Sequence, residues 1–522
     1  MEKQMSYKSR ATANYRILFC NTELVVLFLF LIIVLTCLSS SFGLTWDEAY
    51  YFDYADAIKQ WWTNGADISK SAIIKYWGFD SYHNPHPPFM KIMAAITSEL
   101  FSNIGAYPLP YRMANIIYVS INILIIFIAV KQVYSKRLAY LSIIFILFQP
   151  RILGHSLIGA TDSAIAFSAL SFTLSSYMAV RYPEKRTLWW IVAGLIFATG
   201  VSTKFTGLLI ILPVTAWVLY NREFRAFAVL AGIILFSFLF LIIIYPLFWH
   251  NPITGLYDYL VHPFTRKDLF PFLIYYFGKN YFFDVPWHYF DVMSLITIPP
   301  VILFFLPGLL IKKVCNKDLT LLLLFIVLFW LIIGHLPFTP KHDVIRQFLP
   351  FYPIIAMLSA IGLDNLLSLF QKRFDQNFLV RKYSYLPMLL IIFFYIFSNV
   401  SHHPFELSYY NMFIGGVKGA EKKGMELSYW MESLTPDFIC LLNDMLPRNT
   451  SLTLLPNNSH LHHLQKRGIL RNDIRINDKL DSNSYFILVR RRSAINDKIF
   501  NLKEIANVSY DKVILLKLLE IK

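Results

Sequence analysis

Charge is scarce in this 522-residue chain: 16% of its residues are Asp, Glu, Lys or Arg, against 56% hydrophobic and 17% aromatic. A soluble core cannot absorb that much apolar surface, which excludes an ordinary water-soluble globular protein. Cysteine is sparse too. The four, at positions 20, 37, 315 and 440, are scattered and none is paired at metal-ligand spacing, so neither a disulfide framework nor a CxxC site is indicated. There is no Asp-x-Asp, no GxGxxG after a strand and no Walker loop, so nucleotide-binding machinery is not expected. No repeat or low-complexity segment stands out.

What the chain has is long apolar runs. Residues 24–38, 116–130 and 226–245 are largely free of charge and close to the ~20 residues of a bilayer-spanning helix. Hydropathy predicts about eleven spans, near 24–44, 112–130, 138–150, 163–180, 188–203, 205–220, 226–247, 293–311, 319–335, 347–363 and 385–399. The first reads as an uncleaved helix rather than a signal peptide, because several spans follow it. With a cytosolic N-terminus, each short cytosolic connection is basic: Lys131, Lys136 and Arg137; Arg181, Lys185 and Arg186; Arg222 and Arg225; Lys312, Lys313 and Lys317; Lys372, Arg373, Arg381 and Lys382. That is the positive-inside pattern, and it accounts for much of the formal +15 charge without a nucleic-acid partner.

The opposite face then receives the loops at 45–110, 151–162, 248–292 and 336–346, together with the tail from about 401. These segments hold nearly all the carboxylates, histidines and proline clusters, so the chemistry is expected outside the cytosol. From about 428 the hydropathy falls; a helix at 436–446 and apolar strands at 451–455, 485–490 and 513–518 read as a small α/β domain. Arg490-Arg491-Arg492 reads as a solvated strand end, with contact to anionic lipid or glycan as the alternative. The expected architecture is a polytopic α-helical transmembrane domain over 1–400, followed by a non-cytosolic tail over 401–522.

Two segments of the first outer loop carry the sharpest local signals. Thr45-Trp46-Asp47-Glu48-Ala49-Tyr50-Tyr51 opens an amphipathic stretch with adjacent carboxylates at the membrane surface. Two readings are open there: catalysis, or a helix start in which Thr45 and Glu48 form a capping box and Asp47 sits at the positive end of the helix dipole. Further on, Tyr82-His83-Asn84-Pro85-His86-Pro87-Pro88-Phe89-Met90-Lys91 is stiffened by three prolines and carries two imidazoles before a lysine, which suits holding a phosphate. His83 and His86 leave a divalent metal open as an alternative, although no third ligand is obvious.

The acidic pair after the first span, followed by His-Pro-Pro-x-x-Lys in the same loop, resembles the protein O-mannosyltransferases and their bacterial relatives in glycosyltransferase family 39, of the GT-C superfamily. Further points run in the same order: Thr161-Asp162-Ser163 opening a helix, Ser202-Thr203-Lys204-Phe205-Thr206-Gly207, Val285-Pro286-Trp287-His288-Tyr289, and the segment from Arg346 to Pro353. The large luminal insertion of eukaryotic members is absent. Where the more distant aminoarabinose transferases have a glutamate-lysine pair before two prolines, this chain has Pro85-His86.

The resemblance implies a GT-C fold in a bacterial inner membrane and transfer of a sugar from a polyprenyl-phosphate donor to a protein, lipid or glycan acceptor. It implies an inverting mechanism in which Asp47, beside Glu48, removes the acceptor's proton. Lys91, Lys204 and Arg346, at the outer ends of spans, are the implied phosphate cations, with snorkelling to the headgroups as the alternative for each. His86 and Asp162 are further donor-site candidates, Asp162 being equally readable as a first-turn residue. Trp287 and His288 could wall the sugar or prenyl chain, or belong to an interfacial aromatic belt. The rival from another class is a multi-span transporter or flippase, which would place ionisable groups near mid-span.

Overall fold

The computed structural model describes residues 22–78, 86–265, 273–282, 284–311, 316–337, 339–373, 386–477, 484–493 and 503–520. His83 and Pro85 lie outside them. Helix α1 (Thr22–Ser39) is followed by α2 (Trp46–Thr63), α3 (Lys70–Trp77) and α4 (Phe89–Leu100), so the first outer loop is largely helical. Then come α5 (Leu109–Val133), α6 (Lys136–Leu147), α7 (Pro150–Leu157), α8 (Thr161–Arg181), α9 (Arg186–Val201), α10 (Ile211–Tyr220) and α11 (Phe224–Ile244). After α12 (Pro252–Thr265), a hairpin of β1 (Leu273–Tyr276) and β2 (Lys279–Phe282) precedes α13 (Tyr289–Thr297), α14 (Pro300–Phe305), α15 (Lys317–His335), α16 (Phe351–Arg373) and α17 (Leu386–Val400).

All eleven predicted spans fall on helix, but they are not equal. Among the described residues six helices, α1, α5, α8, α11, α15 and α16, are long and apolar enough to cross a bilayer alone. Two bent pairs bring the count to eight. Helices α6 and α7 meet at 76°, and α13 meets the segment Pro300–Leu310 at 102°. Each break falls at proline, Pro150 or Pro299-Pro300, where the ring removes a helix hydrogen bond and clashes with the preceding turn. Three segments, Arg186–Val201, Phe205–Tyr220 and Leu386–Val400, stay at or below 16 residues, short of the ~20 a full crossing needs. Hydropathy registers apolar runs and is blind to the breaks that shorten them.

Burial sorts the spans by sequence chemistry. Of its membrane-length stretch, α8 is 94% buried within the protein, while α1 and α11 bury 17% and 22%. The difference follows from α8's Ser and Ala content: small residues let neighbouring backbones approach, whereas the large side chains of α11 face outward toward lipid. Helix α8 packs on α5 and α9, and α16 packs on α6. One close approach is unforgiving. A Cβ on Gly362 of α16 would lie 2.0 Å from the Phe305 carbonyl oxygen, and one on Gly308 would lie 2.3 Å from the Gly362 oxygen. Gly362→Val is therefore expected to cost at least the ~1–3 kcal/mol of an overpacked core, read as a lower melting temperature of the detergent-purified protein; an unchanged melting temperature would contradict this packing.

At one end of the bundle the basic connections are paired: Lys131 and Lys136 with Glu23, Arg137 with Asp364, and Arg181 with Asp318 and Glu223. Helix direction places residues 39, 47, 112, 162 and 346 at the other end, on which the tail sits.

The tail adds α18 (Gly416–Lys422), α19 (Pro436–Met445), β3 (Ser451–Leu455), α20 (Ser459–Lys466), β4 (Arg475–Ile476), β5 (Ser484–Val489), β6 (Lys503–Tyr510) and β7 (Val513–Glu520). The sheet order is β4-β3-β5-β7-β6, with β3 parallel to β4 and β5, and β7 antiparallel to β5 and β6. Strand β6 escaped the sequence reading because, as a sheet edge, it carries charge and little apolar periodicity. Helix α20 grips α2. Asp53 takes His463 at 3.2 Å and Lys466 at 2.7 Å, and Arg467 reaches Asp56 at 2.5 Å while lying over the Tyr107 and Tyr111 rings. Tyr107 and His463 are also hydrogen-bonded. Burial pushes the Asp53 carboxyl up, but hydrogen bonds from His463 and Lys466 outweigh it and hold the group at about 2. A depressed carboxyl stabilises where it is ionised, so this contact should be intact at and above about pH 4 and lost as the pH falls toward about 2. Hydrogen exchange of α20 across that range checks it, and Asp53→Asn should abolish the transition.

Candidate functional site

The two carboxylates at the start of α2 meet opposite fates. Glu48 is fully buried and accepts from the Thr45 N–H at 2.8 Å and the Thr45 hydroxyl at 3.0 Å, completing a capping box. It also accepts from the Gly159 N–H at 2.7 Å, and from Arg112 Nε at 2.7 Å and Nη2 at 2.9 Å. Arg112 spends its other protons on the carbonyls of Ser39, Phe42 and Gly43. Every strong acceptor site of Glu48 is thus used in tying α1, α2, α5 and the α7–α8 turn together. Asp47, one residue earlier, keeps about a quarter of its side chain exposed and points at Arg346, whose Nη1 donates to Oδ2 at 2.6 Å.

Arg346 arrives on a short strap before α16 whose backbone is strained. Asp343 and Val344 sit at φ 58° and 61°, a region costly for a β-branched valine, on the order of 1–3 kcal/mol per residue. The strain sets two groups in place. Asp343 Oδ2 accepts from Arg346 Nη2 at 3.1 Å and Oδ1 accepts from Arg491 Nη2 of the tail at 3.0 Å, while the Tyr289 hydroxyl donates to the Val344 carbonyl at 3.2 Å. Burial pushes the Asp343 carboxyl up, and the Arg346 and Arg491 charges outweigh it and hold it below the ordinary carboxylate range. Burial also pushes the His342 imidazole down to about 3, so it is neutral at physiological pH and accepts from the Gln347 amide at 3.0 Å.

Gln347 in turn accepts from Lys204 Nζ at 3.3 Å, and Lys204 donates to Asp162 Oδ1 at 2.6 Å. Lys204 owes its place to the break after α9, and Asp162 to the first turn of α8. The cluster therefore sets three carboxylates, Asp47, Asp162 and Asp343, against three cations, Lys204, Arg346 and Arg491, and none of the three cations is without an acid. Lys91 is nearby under α2: it donates to the His86 carbonyl at 2.6 Å and lies over the Tyr54 and Tyr51 rings, and the His86 ring faces Tyr51 and Phe205.

Trp287 and His288 are not brought into contact with this cluster. Trp287 is 71% exposed and stacks on His335, while His288 packs on Trp287 and Tyr276. Of that motif Tyr289 is the member that reaches the strap. Sequence reasoning passed over Arg112, Asp343, Gln347 and Arg491. Asp343 and Gln347 flank Arg346 in the same outer loop, which was the one available signal. Arg491, read as a solvated strand end, instead lies against Asp343 and over the Trp46 ring at 5.9 Å. Among the described residues no three His, Cys, Asp or Glu side chains gather as a metal site.

The model of the dolichyl-phosphate-mannose-protein mannosyltransferase family matches residues 85–250, a stretch holding His86, Lys91, Asp162 and Lys204 but neither Asp47 nor Arg346. Among solved structures, ArnT from Cupriavidus metallidurans in the apo state is similar over 95% of this chain and 98% of its own, at 14% identity and a TM-score of 0.53. ArnT bound to undecaprenyl phosphate is similar over 96% and 98%, at 13% identity and 0.49. The Archaeoglobus fulgidus oligosaccharyltransferase tethered to an acceptor peptide is similar over 87% of this chain and 60% of its own, at 12% identity and 0.47. No curated protein matches in sequence. At these identities the structural likeness is one of fold: a polytopic GT-C bundle with a sheet-bearing tail. The family model covers less than half of the chain, so the comparisons together show a fold shared with these membrane enzymes and a partial match to that family.

Removing one partner of the Glu48–Arg112 pair leaves an uncompensated buried charge, so Glu48→Gln should destabilise by about 3–5 kcal/mol. Its melting temperature should fall well below those of the wild type and of Asp47→Asn; equal stability of the two variants would show that the pair is dispensable.

Proposed function

We propose that the protein transfers a sugar from a polyprenyl-phosphate-linked donor to an acceptor on the non-cytosolic face, inverting the anomeric centre, with Asp47 as general base. The observation that carries this reading is the division of labour at the start of α2: Glu48 is consumed by structure, whereas Asp47 is partly exposed and aligned by Arg346. The description of the matched family model, a transferase using a dolichyl-phosphate-linked sugar, supports the donor class. The basic loops at the opposite end support the orientation.

In the proposed step the acceptor's nucleophile attacks the anomeric carbon as its proton passes to Asp47. The bond from that carbon to the phosphate oxygen breaks, and the phosphate leaves with the electron pair. The transition state is oxocarbenium-like, so the protein's task is to place a base on one side and positive charge on the other. Arg346 and Lys204 are the cations within reach of the cluster. An incoming phosphate would share them with Asp47 and Asp162, drawing on charges already oriented. Glu48 is a positioning residue in this scheme, fixing the first turn of α2. Lys91 and His86 support the following turn of α2 through Tyr51. Trp287, exposed, and His288, half-buried, are set apart from the cluster and better placed to meet lipid or a prenyl chain than the reacting carbon.

Asp47→Asn preserves size and much of the hydrogen bonding, so the scheme expects transfer to fall by roughly 10²- to 10⁴-fold, with melting temperature unchanged. Transfer is read by mass spectrometry of glycans and glycolipids in a null strain complemented with each allele. A folded Asp47→Asn protein restoring the wild-type profile would remove Asp47 as base. A profile that does not differ between null and wild type would instead favour a transporter.

A further inference from the structure

Behind the Asp47–Arg346 pair lies a buried polar region that the transfer scheme leaves unused. It is built on α7, the short half of the broken α6–α7 pair. Arg151 and His155, four residues apart on α7, share a face and are 1% and 0% exposed. Arg151 donates from Nε and Nη2 to the Tyr409 carbonyl, at 3.2 and 3.0 Å, and lies over the Tyr410 and Tyr429 rings at 5.0 and 5.6 Å. It makes no ion pair among the described residues. A buried cation without a counter-charge is costly, and proteins retain one where something supplies the anion.

The neighbours repeat the pattern. Arg151 Nη1, His155 Nδ1, Trp430 Nε1 and Arg346 Nε are all buried nitrogens without a hydrogen-bond partner. They are contiguous: the Arg346 guanidinium lies 4.5 Å over the Trp430 ring, His155 sits 5.3 Å from that ring and 3.3 Å from the Tyr429 hydroxyl, and Tyr429 leads to Arg151. Three of the four can act only as donors. Buried nitrogens gathered in this way match one oxygen-rich ligand better than four separate accidents. Glu432, whose carboxyl feels the Arg151 charge, forms no ion pair with it among the described residues: its oxygens accept from the Trp430 N–H and from Ser408, and burial pushes its carboxyl up. Broken helices at membrane depth are where polar ligands are held in other membrane folds, since irregular backbone is tolerated there only around protein or a cavity.

We propose that Arg151, His155 and Trp430 form an oxyanion subsite adjoining Arg346, which takes a phosphate or carboxylate group carried by one of the substrates. The proposal rests on the transfer site being at this end of the bundle, and it adds that one substrate presents an anion to Arg151 as well as to Arg346 and Lys204. Arg151 suits that task because, unlike those two, it is in no ion pair among the described residues.

The test reads binding and not turnover, so failure of the Asp47 scheme leaves its result intact. Full-length protein in nanodiscs is unfolded thermally in inorganic phosphate, in acetate, and in chloride at equal ionic strength. Phosphate or acetate should stabilise the wild type; phosphate alone points to the lipid phosphate as source, and a comparable shift in acetate to a carboxylate on sugar or acceptor. The apparent affinity should fall about tenfold to a hundredfold in Arg151→Gln, the loss of a charge-assisted hydrogen bond, and partially in Trp430→Phe, which keeps the ring and removes the donor. It should survive in Lys418→Ala, which removes a surface cation paired with Asp511. Should Arg151→Gln fail to fold for want of its Tyr409 contact, Arg151→Lys and Trp430→Phe carry the comparison. No stabilisation of the wild type by either anion, or a shift kept undiminished in Trp430→Phe and the Arg151 variants, overturns the proposal.

Discussion

The buried pair between Glu48 and Arg112 is the constraint on which the rest of the site depends. Neither charge is exposed, and between them they hold Ser39, Phe42, Gly43, Thr45 and Gly159 by hydrogen bonds. Those residues end α1, start α2 and form the α7–α8 turn, while Arg112 itself belongs to α5. A pair of this kind contributes little net stability compared with well-packed apolar residues, because desolvating two charges offsets their attraction. What it does here is geometric. It fixes where α2 begins, and hence where Asp47 points, relative to helices contributing Asp162 and the face of α7.

A second consequence is electrostatic. Three carboxylates and three cations share a small volume at the bundle end, and each group's charge is held by a neighbour of opposite sign. Balanced clusters of that kind are preorganised: dipoles and charges are oriented before substrate arrives, so little reorganisation accompanies charge development in the transition state. The strained Asp343–Val344 backbone belongs to the same economy of geometry. It aims one carboxylate at two arginines, one from the bundle and one from the tail, a placement that an unstrained turn would not give.

How much of this was legible in sequence depends on the range of the interaction. Thr45 and Glu48 are three apart, so the capping box could be read locally, and so could the amphipathic α2. That Glu48 is the structural member of the pair and Asp47 the open one is decided by Arg112 and Gly159, 64 and 111 residues away, which no local pattern contains. Long apolar runs gave the spans, whereas their breaks at Pro150 and Pro299-Pro300 were legible as prolines but not weighed as bends. In the tail, β3 and β7 carry continuous apolar character and were found; the edge strands β4 and β6 do not and were missed. Arg491 looked like a solvated strand end because its partner, Asp343, lies 148 positions away.

The tail is therefore part of the site and not an appendage to it. It touches this end of the bundle at several places, among them α20 on the acidic face of α2, Arg491 on Asp343, and the 429–434 segment under Arg346 and against Gly43, where a Cβ would meet the Glu432 carbonyl oxygen at 2.2 Å. The Trp46 N–H donates to the Trp430 carbonyl at 2.9 Å, so the first residue of α2 is hydrogen-bonded to the tail. Helix α2 is thus pinned at its start by the 429–434 segment and along its length by α20. Asp47 lies in the first turn between those restraints, so the tail contributes to the placement of its carboxylate. The bundle supplies Arg346, Lys204 and Asp162, but the angle at which Asp47 meets them is set from outside the membrane.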